Sequence, residues 1–391
     1  MDAYMPASSD RFAFGIWCVM NPGGDPFGAP TRKPMTAAEA VIGLARHGAW
    51  GFESHDNDIY PIDASAGQIS KGLKQIRKVM KDTGIICQSF TTNLFAHPVF
   101  KDGAFTSNDP KVRAYAVRKV LIAIDAAAEL GARNFIFWGG REGTEVDLAK
   151  DPAVALRRFR EAINFVCDYG RGAAPEMTYS IEPKPNEPRG DMYLPTVGNA
   201  LAFIETLSPA NRKVVGVNPE VGHVKMAGLN IYHEFGQALE AGKLVELHIN
   251  DQKPLRYDQD LSFGSVSLKE AFLLVKLTVD HKFEGAKSWD AHPYRSEDEQ
   301  GVWEFVDRNM RTWKMLEEKV RQVNQDAEIA SLLSEIQKTD PRLDGLYSRF
   351  SAENARKIKG LPFKADKLAT SRRLPYERLD MRLDQSLMGL R

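Results

Sequence analysis

Cysteine is scarce in this 391-residue chain, and its number is odd. Three thiols, Cys18, Cys87 and Cys167, exclude a disulfide framework and read as free cysteines of a reducing compartment. An excess of either charge is also missing, since 52 Lys and Arg balance 52 Asp and Glu. A neutral chain is poorly suited to nucleic acid as its main partner. No apolar run approaches transmembrane length, and the opening "MDAYMPASSDR" lacks the charged and apolar regions of a signal peptide. The expectation is a soluble cytoplasmic protein with no membrane partner. No internal repeat and no low-complexity tract interrupts the pattern. What remains is an ordinary globular composition, 43% hydrophobic and 27% charged, long enough for a large α/β domain plus an appendage.

Short apolar runs alternate with amphipathic stretches at helical spacing. The candidate strands are "FAFGIW", "WGFESH", "IICQSFTT", "NFIFWGG", "TYSIEPK", "VVGVNPE", "LVELHIN" and "SWDAH". Between them stand helical segments such as "KVRAYAVRKVLIAIDAAAELG", several of which end at glycine. Eight alternations predict a (β/α)₈ TIM barrel over residues 1–323. A doubly wound sheet is the rival, but no glycine-rich phosphate loop follows the first strand. From 324 to 391 strands disappear and the chain turns polar, broken by "TDPRLDG" and "KGLPFK". This reads as a C-terminal helical arm that cannot bury a core alone and so packs on another subunit.

Chemically capable side chains gather at the predicted C-terminal strand ends, the face on which barrel enzymes carry their sites. His55 and Asp58 follow the second strand, Trp138 and Arg141 the fourth, and Glu182, Lys184 and Glu187 the fifth. Glu220 and His223 follow the sixth strand, His248, Asp258 and Asp260 belong to the seventh, and Asp290 and His292 to the eighth. So many facing carboxylates repel one another unless cations compensate them. Oxygen-rich ligation suits Mg²⁺, Mn²⁺ or Co²⁺, and the imidazoles shift the balance towards the transition metals. In "SHDND" a histidine near a carboxylate is suited to moving a proton at a sugar hydroxyl. Trp17, Phe95 and Trp138 lie near strand ends, where aromatic side chains wall a site against water.

The motifs "DPFG", "TTNLFAHPVFKDGAFTSND", "WGGREG", "IEPKPNEPRGD", "NPEVGH" and "YDQDLSFG" carry a resemblance. The chain resembles the shorter class of xylose isomerases (glucose isomerases) from "FAFGIW" to about "GVWE", and more loosely in the tail. The resemblance implies a metal-dependent aldose–ketose isomerase of the D-xylose–D-xylulose type, or the analogous D-glucose–D-fructose pair, forming a homotetramer with a small-molecule sugar as its substrate. It implies two divalent cations per subunit, the first held by Glu182, Glu220, the residue at 248 and Asp290. The second is implied to share Glu220 with His223, Asp258 and Asp260. His55, oriented by Asp58, is implied to assist ring opening, and Lys184 to polarise the carbonyl during a hydride shift. Trp17, Thr91, Phe95 and Trp138 are the implied substrate-binding residues, joined by Phe27 from a neighbouring subunit.

The chain departs from the family in three places. Aligned without a gap, His248 stands where the family has an aspartate ligand; a two-residue gap brings Asn250 there instead. His292 stands where the family has lysine, and Gly24 where it has arginine. These departures leave the preferred aldose open. Two readings compete with an isomerase: a metal-dependent phosphodiesterase of endonuclease IV type, and a non-catalytic sugar- or metal-binding relative.

Overall fold

The computed structural model describes residues 4–390. Eight parallel strands pair in chain order: β1 (Phe12–Gly15), β2 (Gly51–His55), β3 (Ile86–Thr91), β4 (Asn134–Trp138), β5 (Thr178–Glu182), β6 (Val215–Val217), β7 (Leu247–Ile249) and β8 (Lys287–Trp289). β1 also pairs with β8, and single bridges Val217–Leu244 and Glu220–His248 join β6 to the β7 segment. Every strand edge is thereby closed, and the sheet is a (β/α)₈ barrel. Between the strands run α1 (Ala37–Arg46), α2 (Ala66–Thr83), α3 (Pro110–Leu130), α4 (Pro152–Ala173), α5 (Val197–Glu205), α6 (Ile231–Glu240) and α7 (Leu268–Asp280). After β8 comes α8 (Glu299–Gln325).

Local chemistry sets where these helices begin and end. Thr36 and Glu39 close a capping box at α1, and Ser65 and Gln68 do the same at α2. Asp109 and Asp151 cap α3 and α4, each followed by proline at the first helical position. α2 and α3 stop at Gly84 and Gly131, whose left-handed backbone angles (φ 78° and 66°) suit glycine best.

Strands buried on both faces read as nearly continuous apolar runs. Here the outer face is strongly aromatic, with Trp289 packed 4.7 Å from Phe14 and 5.1 Å from Phe12. The barrel interior is different. Glu53, Ser89, Asn134, Ser180, Glu246, His248 and Ser288 are buried and hydrogen-bonded to one another across the strands. This polar layer lies where barrels usually stack branched aliphatic side chains.

The chain forms two compact units that divide between Met315 and Leu316, within α8. The second unit holds the end of α8 and the helices Ala327–Ile336, Pro341–Tyr347, Ala352–Lys359, Ala365–Thr370 and Tyr376–Leu387. Inside it, Arg382 and Arg378 reach Asp326 and Glu328 at 2.6 and 2.7 Å, tying the last helix to Ala327–Ile336. No helix among the described residues is long and apolar enough to cross a membrane.

Candidate metal and sugar site

A cavity of about 240 Å³ opens at the C-terminal ends of the strands. It is lined by Trp17, His55, Thr91, Phe95, Ile136, Trp138, Glu182, Lys184, Glu220, His223, His248, Asp258, Asp260 and Asp290. His55, Thr91, Trp138 and Glu182 are the last residues of β2, β3, β4 and β5, and Asp290 directly follows β8. His223 sits on the short helix Val221–Met226, which begins directly after Glu220. Five of the residues singled out from sequence, Phe27, Asp58, Arg141, Glu187 and His292, are not part of that lining. Asp58 stands behind His55, and Phe27 is fully exposed at the tip of the Asp25–Gly28 turn.

The carboxylates and imidazoles form two compact groups that share Glu220. One comprises Glu182, Glu220, His248 and Asp290, with a ligand atom from each lying within 4.8 Å of the others. The second comprises Glu220, His223 and Asp258 on the same criterion. His223 Nε2 lies 3.2 Å from Glu220 Oε2 and 3.3 Å from Asp258 Oδ2. Asp260 lines the cavity without belonging to that group, and its Oδ1 accepts from Asn250 at 3.1 Å. His248 Nδ1 lies 3.1 Å from Glu182 Oε2 and 3.6 Å from Asp290 Oδ2.

The electrostatics of the protein alone are unbalanced. Burial, then Asp258, Asp290, Asp260 and Glu182, push the Glu220 carboxyl well above the usual carboxylate range. Burial and the charges of Asp258 and Asp290 do the same to Asp260, and burial also raises Asp290. Burial opposes ionisation of Glu182 too, yet His248 and His223 draw it down to about 2. Asp258, despite burial, is held low by His223 and Lys184. His248 resists burial and is raised well above an ordinary imidazole by Glu182 and Glu53. Among the described residues, Asp258 Oδ1, His223 Nδ1, His248 Nδ1 and Asn218 Oδ1 are buried without a hydrogen-bond partner. Unpaired ligand atoms beside carboxylates that cannot all ionise are what a cation site presents without its ion. The residues therefore fit a bound divalent metal.

The remaining side chains are arranged for proton handling and water exclusion. His55 is the N-cap of the short helix Asp56–Ile59, and Asp58 in its first turn accepts the His55 backbone N–H at 2.8 Å. The same Asp58 oxygen lies 3.4 Å from His55 Nδ1, and despite burial this partner raises the imidazole above its ordinary value. Trp17 meets the His55 ring at 4.4 Å, Phe95 meets it at 5.7 Å, and Phe95 meets Trp138 at 4.6 Å. These four rings form a continuous wall. Lys184 donates to Asp258 Oδ2 at 2.6 Å and stands 5.2 Å from the Trp138 ring centroid. Asp258 and Glu220 outweigh burial and raise the ammonium above its normal value, so Lys184 stays cationic.

The family model for the xylose isomerase-like TIM barrel matches residues 43–300. The chain belongs to that family. Among solved structures, L-ribulose 3-epimerase is similar with a TM-score of 0.58 and 17% identity, over 84% of this chain and 99% of that one. The 3-keto-D-glucoside 4-epimerase of E. coli gives a TM-score of 0.56 and 14% identity over 77% and 99%. A xylose isomerase domain protein from Alicyclobacillus acidocaldarius gives 0.55 and 12% over 78% and 98%. At such identities the structural likeness establishes the shared fold.

Several contacts in this xylose isomerase-like barrel were not legible in the sequence. Asn250 Nδ2 donates to Glu220, Asp260 and the Asp290 carbonyl, and Asn218 donates to Glu182 at 3.1 Å. Trp17 does more than wall the cavity, because its indole N–H donates to Asp290 Oδ1 at 2.7 Å. Glu187 accepts the Asp258 backbone N–H at 2.7 Å and so fixes that loop. Glu53 and Glu246 lie in the polar layer with His248, and no motif marked them. Alternation offered one signal: Glu53 is two residues before His55 and shares its face of β2.

Proposed function

We propose that the protein is a metal-dependent sugar isomerase interconverting an aldose and its ketose, with D-xylose and D-xylulose as the leading pair. One observation carries this reading: two carboxylate–imidazole groups share Glu220 in a single aromatic-walled cavity that also holds Lys184 and His55. Glu182, Glu220, His248 and Asp290 would hold one divalent cation, Mg²⁺, Mn²⁺ or Co²⁺. Glu220, His223 and Asp258, with Asp260 beside them, would hold a second. When bound, these ions supply Lewis-acid polarisation of sugar oxygens and stabilise developing negative charge.

The protein side chains supply the rest. His55, held by Asp58, is placed to move the proton that leaves the anomeric hydroxyl as the ring opens. Lys184 stays charged and therefore serves as a hydrogen-bond donor to the carbonyl oxygen, not as a base. The Trp17, Phe95 and Trp138 rings keep water from the open-chain sugar, where it would exchange protons. A neutral chain and this aromatic wall disfavour the phosphodiesterase reading.

The epimerase neighbours favour a second reading, inversion at one carbon of a ketose by proton removal and return. Incubation of pentoses and hexoses with Mg²⁺, Mn²⁺ or Co²⁺, followed by chromatography of the products, tests both readings. Aldose substrate deuterated at carbon 2 is expected to give ketose that keeps the label at carbon 1. Loss to solvent of a deuterium placed at carbon 3 of a ketose, with inverted configuration there, would favour the epimerase, and no turnover of any sugar would overturn both.

A further inference from the structure

His248 is a fully buried imidazole whose two nitrogens have different surroundings. Nε2 lies 3.0 Å from Glu53 Oε2 in hydrogen-bond geometry. Nδ1 faces Glu182 and Asp290 in the cavity and has no hydrogen-bond partner among the described residues. A ring serving only as a buried ion-pair partner directs both N–H groups along hydrogen bonds, because an unmet buried donor is destabilising. Here Nε2 meets its carboxylate in hydrogen-bond geometry, while Nδ1 lies 3.1 Å from Glu182 Oε2 outside that geometry.

The other end of the contact is equally constrained. Glu53 is buried, and its second oxygen, Oε1, accepts the Ser288 hydroxyl. Ser288 is the β8 residue registered opposite His248 on β7, while β2 delivers Glu53 from across the barrel. Both Glu53 oxygens are therefore committed. Glu246, the other carboxylate close to His248, is occupied by Gln88, Ser89 and Asn134. Nε2 thus has one carboxylate anchor.

We propose that Glu53 is a positioning residue: by accepting the Nε2–H of His248 it fixes the tautomer and aims the Nδ1 lone pair at the cation held with Glu182, Glu220 and Asp290. The inference rests on reading that group as a cation site. Its physical basis is general, since a carboxylate on the far nitrogen of a ligating imidazole sets ring orientation and raises donor strength. A histidine so backed replaces a charged carboxylate ligand with a neutral nitrogen and returns the negative charge one shell further out.

Titration of metal-free, full-length protein with Co²⁺, followed by calorimetry and visible absorption, tests the assignment. Glu53→Leu keeps side-chain volume and removes the acceptor. It is expected to weaken Co²⁺ binding at this site about ten- to a hundredfold and to change the absorption band. Glu53→Gln keeps an acceptor oxygen and is expected to preserve the band and most of the affinity. If Glu53→Leu matches wild type in both measurements, the positioning role is overturned while the cation site stands. If wild type takes up no Co²⁺, or His248→Ala binds it unchanged, both fall. Anomalous diffraction from Mn²⁺-soaked wild-type crystals decides the matter without any variant. An ion on Nδ1 with Nε2 on Glu53 supports the assignment, and an ion on Nε2 or away from the ring overturns it.

Discussion

Asp290 divides its two oxygens between different tasks. Oδ1 accepts the Trp17 indole N–H at 2.7 Å, while Oδ2 turns towards His248 Nδ1 at 3.6 Å. In Glu182, Oε2 accepts from Asn218 and also lies 3.1 Å from His248 Nδ1, while Oε1 faces His223 Nδ1 at 3.4 Å. Replacing either carboxylate by its amide keeps the shape and these donors' acceptor but removes the charge that a divalent cation requires. Asp290→Asn and Glu182→Gln are therefore expected to lower isomerisation at least about 10³-fold, the effect of losing several kcal/mol of transition-state stabilisation. Unfolding midpoints near the wild-type value, measured on the metal-free proteins, would show that the fold is intact. Near-native turnover of either variant at saturating Mn²⁺ would defeat the assignment of these residues as ligands.

The strand ends act as a set, and so does their charge. Glu220, Asp260 and Asp290 are raised carboxyls and His248 is a raised imidazole, so the folded metal-free chain keeps protons that the unfolded chain has released. Stability then falls as pH rises, beginning near ordinary carboxylate values of about 4. Glu182 and Asp258, held low, act the opposite way and only below that range. Thermal unfolding of the metal-free protein is expected to show a midpoint that declines between about pH 5 and 8. Added Mn²⁺ should raise the midpoint most at the alkaline end, because the cation replaces the missing protons. A flat profile that ignores Mn²⁺ would contradict this account. The same set shows what sequence can and cannot reveal. His55, Glu182, Glu220 and Asp290 were legible because each lies at or shortly after the end of an apolar run, a position set by local pattern. Glu246 was not, because its meaning comes from Gln88, Ser89 and Asn134 on two other strands. Its alternating polar neighbours read equally well as a solvent-facing side. The polar interior becomes visible only when the barrel closes, and with it the partner of His248 Nε2. The eight strand–helix alternations were legible for the opposite reason, since period and capping are properties of neighbours in the chain.

At the scale of the whole molecule, two features stay exposed within the chain. The four helices from Pro341 to Leu387 bury none of their residues, and Phe350 is 88% exposed. Helices with apolar side chains left in water do not offset their own ordering cost and call for a covering surface. The second feature is Phe27, an aromatic ring presented wholly to solvent on a turn that is itself fixed. Arg295 pairs with Asp25 at 2.9 Å and donates to the Ala29 carbonyl, and it lies so close over Gly28 that a Cβ there would clash with the guanidinium. We expect a homotetramer in which Phe27 completes the cavity of a neighbouring subunit. Phe27→Ala should then lower activity while Asp290→Asn abolishes it, because the first defect lies in the subunit that lends the ring and the second in the subunit that owns the site. Mixing the two variants, unfolded together and refolded, should raise activity above that of the Phe27→Ala protein alone: an Asp290→Asn chain supplies Phe27 to the intact metal site of a Phe27→Ala chain. Light scattering at micromolar concentration provides the companion measurement. A monomeric mass for the full chain, or a mixture no more active than the Phe27→Ala protein within it, would refute the shared site.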